Sequence, residues 1–302
     1  ASAGDVVEIR LTNVNGIGGF NVSLNTAEQP NDLDYSATFT EGGTPVAVTL
    51  QTRAIVADAE NAITSLSIAA AGIMNGAAEH VTIAGQDFDL ATTASHAVTV
   101  GGTALAISYD AATQAFTVQN AAGASLPMEL ADLDAMLRSI TYENTSEGAT
   151  AGDRTLTFTV TDAGGLTSAP AVSTITVIPV NDGPVAVADS IVTLEDSFAV
   201  IDVTANDVDL DGDVLTVTEI NGQAVSIGGP AVAVAHGGVT LDAAGRVVFT
   251  PSMDYFGTTT FACTINDGHG GTATAGVIAD VQPVNDAPVA IINQIGTGDL
   301  IV

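Results

Sequence analysis

Apolar and polar residues alternate in short runs along most of this chain, and turn signals separate the runs. The alternation is cleanest toward the C-terminus. There Val185–Leu194, Phe198–Val203, Val214–Ile220, Val239–Leu241, Val247–Thr250, Thr258–Ile265 and Thr272–Val281 each read as a strand with one face inward and one outward. Asn221-Gly222, Gly237-Gly238, Ala244-Gly245 and Gly270-Gly271 supply turns between them. Seven short strands punctuated in this way predict an all-β sandwich of immunoglobulin-like, Greek-key type.

The preceding stretch opens and closes in the same manner. Thr155-Leu156-Thr157-Phe158-Thr159-Val160-Thr161-Asp162 parallels the run from Thr259 to Asp267. Between its ends lies an insertion, roughly 70–130, with further strand patterns at Val98–Val100, Ala104–Tyr109 and Ala115–Val118. Leu130, Leu133, Met136 and Leu137 then recur at helical spacing, and Pro127 suits a helix start, so one short amphipathic helix packed on the sandwich is expected. Pro-Asn-Asp at Pro30–Asp32 returns as Pro-Val-Asn-Asp-Gly-Pro at Pro179–Pro184 and Pro-Val-Asn-Asp-Ala-Pro at Pro283–Pro288. Prolines on both sides stiffen these segments into linkers at domain-length intervals. The expected organisation is a terminal strand segment over 1–30, a long sandwich over 31–182, a short sandwich over 183–287, and the start of a further repeat or a tail over 288–302. The first segment belongs to an upstream repeat or is exchanged with a neighbour. Ala1 opens no signal peptide, so a mature fragment or a piece of something longer is expected.

Composition sharpens this picture. Hydrophobic residues make up 46% of the 302 residues but aromatics only 4%, with no Trp, so the cores must be built from Val, Ile, Leu and Ala. Thirty-five acids face five basic residues, none of them Lys, for a net charge of −30. Phosphate-backbone binding needs cationic side chains, which sets nucleic acid aside as a partner. An anionic membrane surface is disfavoured for the same reason, and no apolar run approaches the ~18 residues of a spanning helix. Self-repulsion of this size calls for neutralisation, and divalent cations are the natural source. The single cysteine, Cys263, lies in a strand pattern and reads as a buried small hydrophobe.

The acids are not spread evenly. Asn206-Asp207-Val208-Asp209-Leu210-Asp211-Gly212-Asp213 places oxygen-bearing side chains at near-alternate positions, and Ca²⁺ takes six to eight oxygen ligands. The start resembles an EF-hand loop, but Leu215-Thr216-Val217-Thr218 follows with a strand pattern, so a β-loop cation site is expected. Alternating the direction of seven strands sorts the remaining acids by end. The end where the chain enters the second sandwich collects Asp207, Asp209 and Asp211 with Asn266 and Asp267. The exit end of the first collects Glu41 and Asp153, and Asn181-Asp182 lies between them. The same logic gathers Asp32, Asp58, Glu60 and Asp162 where the chain enters the first sandwich. It gathers Glu195, Asp254 and Asp286 where it leaves the second, as half of a further site. Unneutralised, such gatherings repel themselves; with a cation they become rigid joints.

The run Asp209-x-Asp211-Gly212-Asp213-x-Leu215-Thr216-Val217-Thr218 resembles the bacterial cadherin-like tandem repeats of large RTX- and biofilm-type surface adhesins. So do Phe249-Thr250-Pro251, Asp254-Tyr255-Phe256-Gly257, Asn266-Asp267-Gly268-x-Gly270-Gly271 and Val284-Asn285-Asp286-Ala287-Pro288. The first sandwich is similar to a longer variant, through Ala37–Gly43 and Leu137–Asn144. The resemblance spans about 29–288. It implies Ca²⁺ at the domain junctions, export to the extracellular space or cell surface, and an adhesive or spacer role. It places Glu41, Asp153, Asp182, Asp207, Asp209 and Asp267 at cation-holding positions. Asp58-Ala59-Glu60 departs from the usual Asp-x-Asp, and no Gly-Gly-x-Gly-x-Asp nonapeptide is present. No nucleophile motif, P-loop or dinucleotide fingerprint occurs, and the four histidines are not at zinc spacing, so no enzyme is expected. Two other readings stand beside the adhesin: a carbohydrate-binding module, and a filament subunit assembled by exchange of the 1–30 strand. The expected partners are Ca²⁺, neighbouring repeats, and surface glycans or identical chains.

Overall fold

The computed structural model describes residues 9–13, 20–24, 35–49, 63–121 and 130–287. Two compact units, Ala1–Val180 and Asn181–Val302, divide inside the Pro179–Pro184 segment. Three of the expected ligands, Asp32, Asp58 and Glu60, lie outside the described residues, as do Pro127 and the 288–302 tail. Within the 1–30 segment, β1 (Ile9–Asn13) and β2 (Phe20–Leu24) pair with each other antiparallel as a two-stranded sheet.

The first unit continues with β3 (Tyr35–Thr40), β4 (Val46–Ala47), β5 (Ile63–Ala71), β6 (Glu79–Ile83), β7 (Gln86–Asp89), β8 (Ala94–Val100), β9 (Thr103–Asp110), β10 (Ala115–Asn120), α1 (Leu130–Arg138), β11 (Thr141–Asn144), β12 (Gly152–Asp162) and β13 (Ala171–Ile178). Two sheets form, with strand orders β3-β13-β12-β5-β10-β9-β8 and β4-β11-β6-β7. The expected helix is present. Leu133, Met136 and Leu137, spaced to share one face, are all buried in the core. The added elements, β7 to α1, lie between β6 and β11, and β8, β9 and β10 extend one sheet to seven strands. Phe39 and Tyr142 meet edge-on at 5.8 Å, as do Phe88 and Phe116 at 5.3 Å. These aromatics, with Tyr109, anchor a core otherwise built from Val, Ile, Leu, Ala and Met136.

In the second unit come β14 (Asp189–Leu194), β15 (Ala199–Ile201), β16 (Thr216–Ile220), β17 (Gln223–Ala224), β18 (Val232–Val234), β19 (Gly237–Leu241), β20 (Val247–Pro251), β21 (Gly257–Asn266) and β22 (Thr272–Gln282). They make sheets of order β14-β22-β21-β16-β17 and β15-β20-β19-β18. All seven expected strands are there, with β17 and β18 added. The two units share one scheme. The opening strand, β3 or β14, pairs parallel with the closing strand, β13 or β22, and the penultimate strand, β12 or β21, lies inside it. The chain is an all-β pair of immunoglobulin-like two-sheet sandwiches, the first enlarged by a helix and extra strands.

Two details differ from the sequence reading. The first strand of the second unit begins at Asp189 and not at Val185. Between them the Val187 N–H is taken by the Asp207 carboxylate at 2.7 Å, which interrupts the ladder. Gly237-Gly238 opens β19 and makes no turn. A side chain on Gly237 would lie 2.7 Å from the Phe249 ring, so glycine serves close packing there, while His236 takes the left-handed turn at φ 57°. Cys263 is buried, and burial pushes its thiol up to about 12.

Candidate metal centre

The loop between β15 and β16 is shaped by one carboxylate. Asp209 Oδ1 accepts the N–H groups of Asp211 and Asp213 at 3.0 and 3.1 Å. Gly212, at φ 78°, makes the left-handed step this turn needs. The alternate side chains Asp209, Asp211 and Asp213 are thereby folded onto one another, with one carboxylate oxygen from each within 4.8 Å of the others. Two oxygens that both sit ~2.4 Å from a Ca²⁺ can be no more than about 4.8 Å apart, so the spacing fits a shared hard cation. The remaining oxygen, Asp209 Oδ2, is buried and has no hydrogen-bond partner. A buried anionic oxygen without a donor is costly, and a cation is the group that would satisfy it.

Neighbouring segments of the same unit converge on this loop. Asp182 donates its N–H to Asp211 Oδ2 at 2.7 Å, and Asn181 Nδ2 donates to Asp267 Oδ2 at 2.9 Å. Asp267, in the loop between β21 and β22, accepts the N–H groups of His269, Gly270 and Gly271 on Oδ1 at 2.7, 2.9 and 3.0 Å. The Asn181 bond, and then these amides, hold its carboxyl below the usual carboxylate range. A Cβ on Gly271 would run into Asp267 Oδ2 and lie 2.7 Å from Gly183 Cα, so only glycine closes this loop. His269 Nδ1 lies 2.7 Å from Asp213 Oδ2, and that contact raises its pKa.

Of the expected ligands at this end, the structure brings Asp209 and Asp211 together. Asn181, Asp182 and Asp267 stand beside them as hydrogen-bonding supports. Asp207 points elsewhere: it binds the Val187 N–H and faces Asp189, whose carboxyl is pushed up by burial first and by the Asp207 charge second. Asp213, which the ligand set omitted, belongs to the cluster, and His269 reaches it through its contact with Asp213. Asp213 was legible as the last acid of the Asp-x-Asp-Gly-Asp run, whereas the approach of His269 depends on two loops 56 residues apart in sequence.

The opposite end of the second unit gathers Asp196, Asp254 and Asp286, again with one oxygen each within 4.8 Å of one another, all three exposed. Asp196 Oδ1 accepts the Asp254 N–H at 3.3 Å. Asp254 and Asp286 thus meet as expected, but their third companion is Asp196. Glu195 is buried, its N–H on the Gln282 carbonyl and its Oε1 accepting the Val284 N–H at 2.6 Å.

The first unit repeats that arrangement. The Glu41 N–H binds the Ile178 carbonyl; Glu41 Oε2 accepts the Val180 N–H at 2.7 Å and Oε1 the Ala149 N–H at 2.8 Å. Asp153 sits on β12, exposed, and accepts from the Thr176 hydroxyl at 2.7 Å. Asp162 Oδ1 accepts the Leu166 N–H in the turn after β12. Among the described residues Glu41, Asp153 and Asp162 join no cluster of three acids.

Residues 181–280 match the bacterial Ig domain family model. The match falls within the second unit. This is consistent with the resemblance of its motifs to bacterial cadherin-like tandem repeats, and the Asp209–Asp213 cluster lies in the matched stretch, in the loop between β15 and β16. Solved structures align over most of the chain at low identity. Protocadherin gamma B7 extracellular cadherin domains 1–4 share 13% identity over 85% of this chain and 51% of that one, with a TM-score of 0.33. Human CDH23 EC21–23 shares 13% over 83% and 68%, with a TM-score of 0.36. The titin domains z1z2 in complex with telethonin share 11% over 83% and 94%, with a TM-score of 0.26. The chain spans about half the length of the protocadherin structure. No curated protein matches it.

Proposed function

We propose that the second unit binds Ca²⁺ through Asp209, Asp211 and Asp213, and that the chain is a cation-stiffened repeat module of an extracellular surface adhesin. The buried, donorless Asp209 Oδ2 inside a triad of convergent carboxylates carries this reading. Carboxylate, amide and carbonyl oxygens are hard donors suited to Ca²⁺, and the described cluster offers no thiolate. A bound cation would neutralise three like charges and stiffen a loop already bonded to Asn181 and Asp182 through its neighbours. Asp207, Glu41, Asp153, Glu195, Asp254 and Asp286 act as backbone anchors or peripheral acids in this reading. The sandwich architecture is typical of structural modules, and the role is mechanical, without catalysis.

The direct test is calorimetric titration of CaCl₂ into the full chain and into Asp209→Ala and Asp213→Ala variants. Extracellular modules bind at ~10⁻⁴–10⁻³ M. The variants should weaken the strongest phase at least about tenfold. Identical heats in all three proteins, or none in the wild type up to millimolar calcium, would remove the basis for the reading.

A further inference from the structure

A cavity of about 540 Å³ lies over β8, β9 and β10 of the first unit's seven-stranded sheet, a volume usual for a small-molecule site. It sits on the face opposite to the buried Ile107, Tyr109, Phe116 and Val118. Ser95 pairs with Ser108, and Ser108 with Thr117, so three hydroxyl residues cross the three strands in one row, each about 5 Å from the next. Thr93, Asp110 and Thr113 close one end, from the loop before β8 and the hairpin between β9 and β10. These two loops are tied into shape. Thr93 Oγ1 accepts the Ala111 N–H at 3.0 Å, and Asp110 Oδ1 accepts the Ala112 N–H at 2.9 Å. Beneath them the Tyr109 hydroxyl donates to the Leu90 carbonyl at 3.0 Å, and its ring lies 4.5 Å from that of Phe116. The floor is therefore fixed before any ligand arrives. The hydroxyls of Ser95, Thr113 and Thr117 hydrogen-bond to no other described residue.

We infer that this cavity is a binding site for a neutral saccharide. The chemistry of its lining selects the ligand. No basic residue lines it, and the Asp110 carboxylate on a chain of net charge −30 repels an anion. One carboxylate supplies too little charge to hold a bare cation. An apolar ligand would strip water from the hydroxyls and return no hydrogen bond. A peptide strand would pair along a sheet edge, whereas this row stands on the sheet's face. A sugar fits on each count. It is uncharged, and its closely spaced hydroxyls both donate and accept, as do those of Ser95, Ser108 and Thr117. Asp110 Oδ2, which the hairpin amide does not use, is left to accept a further hydroxyl. Ala94 and Ala115, also in the lining, offer small apolar surface to the C–H groups of the ring. Hydrogen bonds of this kind hold one sugar weakly, and repeated copies of the chain on one surface would multiply the contact by avidity. The site needs no cation, so it stands or falls separately from the calcium reading.

The experiment titrates the full chain, in chelator, with neutral tetrasaccharides of glucose, mannose and galactose, and with tetragalacturonate as their anionic counterpart. Backbone amides are followed by NMR. At least one neutral probe should bind in the millimolar range and move the amides of Thr93, Ser95, Ser108, Asp110, Thr113 and Thr117, while those of the second unit stay still. Ser108→Ala and Thr117→Val each remove a hydroxyl without adding bulk, and each should weaken binding at least about threefold. Thr155→Val, a like change on β12 of the same sheet but outside the cavity, should leave binding intact. Absence of binding by all three neutral probes at millimolar concentration overturns the proposal. So do shifts centred away from the cavity, an equal loss in Thr155→Val, or tetragalacturonate binding there as well as the neutral sugars. Binding that appears only when Ca²⁺ replaces the chelator also overturns it, and would assign the sugar to a cation site.

Discussion

At the scale of single residues, the largest commitment lies in one buried ion pair. Arg154 is one of five basic residues in the chain, and it is buried with Glu79 in the core of the first unit. Its Nη2 donates to Glu79 Oε1 at 3.0 Å, to Asn75 Oδ1 at 3.1 Å and to the Thr150 carbonyl at 2.9 Å; Nη1 donates to the Gly152 carbonyl at 3.0 Å. Glu79 Oε1 also accepts the Met74 and Asn75 N–H groups. The pair therefore ties the loop before β6 to the loop before β12. Removing one partner strands a buried charge, so Arg154→Met should cost about 3–5 kcal/mol in urea unfolding of the first unit. The double variant Glu79→Gln with Arg154→Met should regain a substantial part of that loss. Asp267 gives a pH signature in the second unit. Its carboxyl is held below the ordinary aspartate range in the fold, so its contribution is complete above about pH 4 and disappears as pH falls through the lowered value. Asp267→Asn should be less stable than wild type at pH 7, and thermal midpoints of the two should converge toward pH 2. A constant gap across that range would show that Asp267 acts through something other than its charge.

Among elements, the recurring device is a glutamate at the end of the opening strand. Glu41 after β3 and Glu195 after β14 each bind the closing strand through their N–H and take the amide of the valine that follows it, Val180 or Val284, on the carboxylate. Motif reading expects both glutamates at cation sites; in the fold each carboxylate also accepts an amide of the segment that follows the closing strand. Glu41→Ala leaves two amides, Ala149 and Val180, without their acceptor, at a cost of about 1–3 kcal/mol. Hydrogen exchange should then speed up at those two positions while the β12–β13 ladder stays protected. The helix shows the opposite relation of sequence to structure. Its spacing of Leu133, Met136 and Leu137 was readable at once, because a helical stripe is a local property and tertiary packing only had to accept it.

For the molecule as a whole, charge sets the response to salt. Monovalent salt screens the self-repulsion of a −30 chain without preference for any site. A cation held by Asp209, Asp211 and Asp213 would stabilise the second unit further and specifically. With a dissociation constant of ~10⁻⁴ M, 10 mM Ca²⁺ would contribute about 2.7 kcal/mol. Differential scanning calorimetry at matched ionic strength should therefore show CaCl₂ raising the second unit's midpoint above that in NaCl, with Asp209→Ala abolishing the difference. Equal midpoints in the two salts would leave screening as the whole effect.

The amino-acid sequence by itself determined the all-β class, the two sandwiches, the helix and, in the second unit, the ends at which acids collect. All of these follow from period-two alternation, turn residues and strand count, which are local or nearly local quantities. It did not determine which oxygens meet. Asp207 and Asp209 are two residues apart and look equivalent in the chain, yet one binds the Val187 amide and the other folds its loop around a buried free oxygen. Asp196 displaced its neighbour Glu195 from the far cluster for the same reason. Backbone amides compete for carboxylates, and only the closed fold decides which amides come within reach.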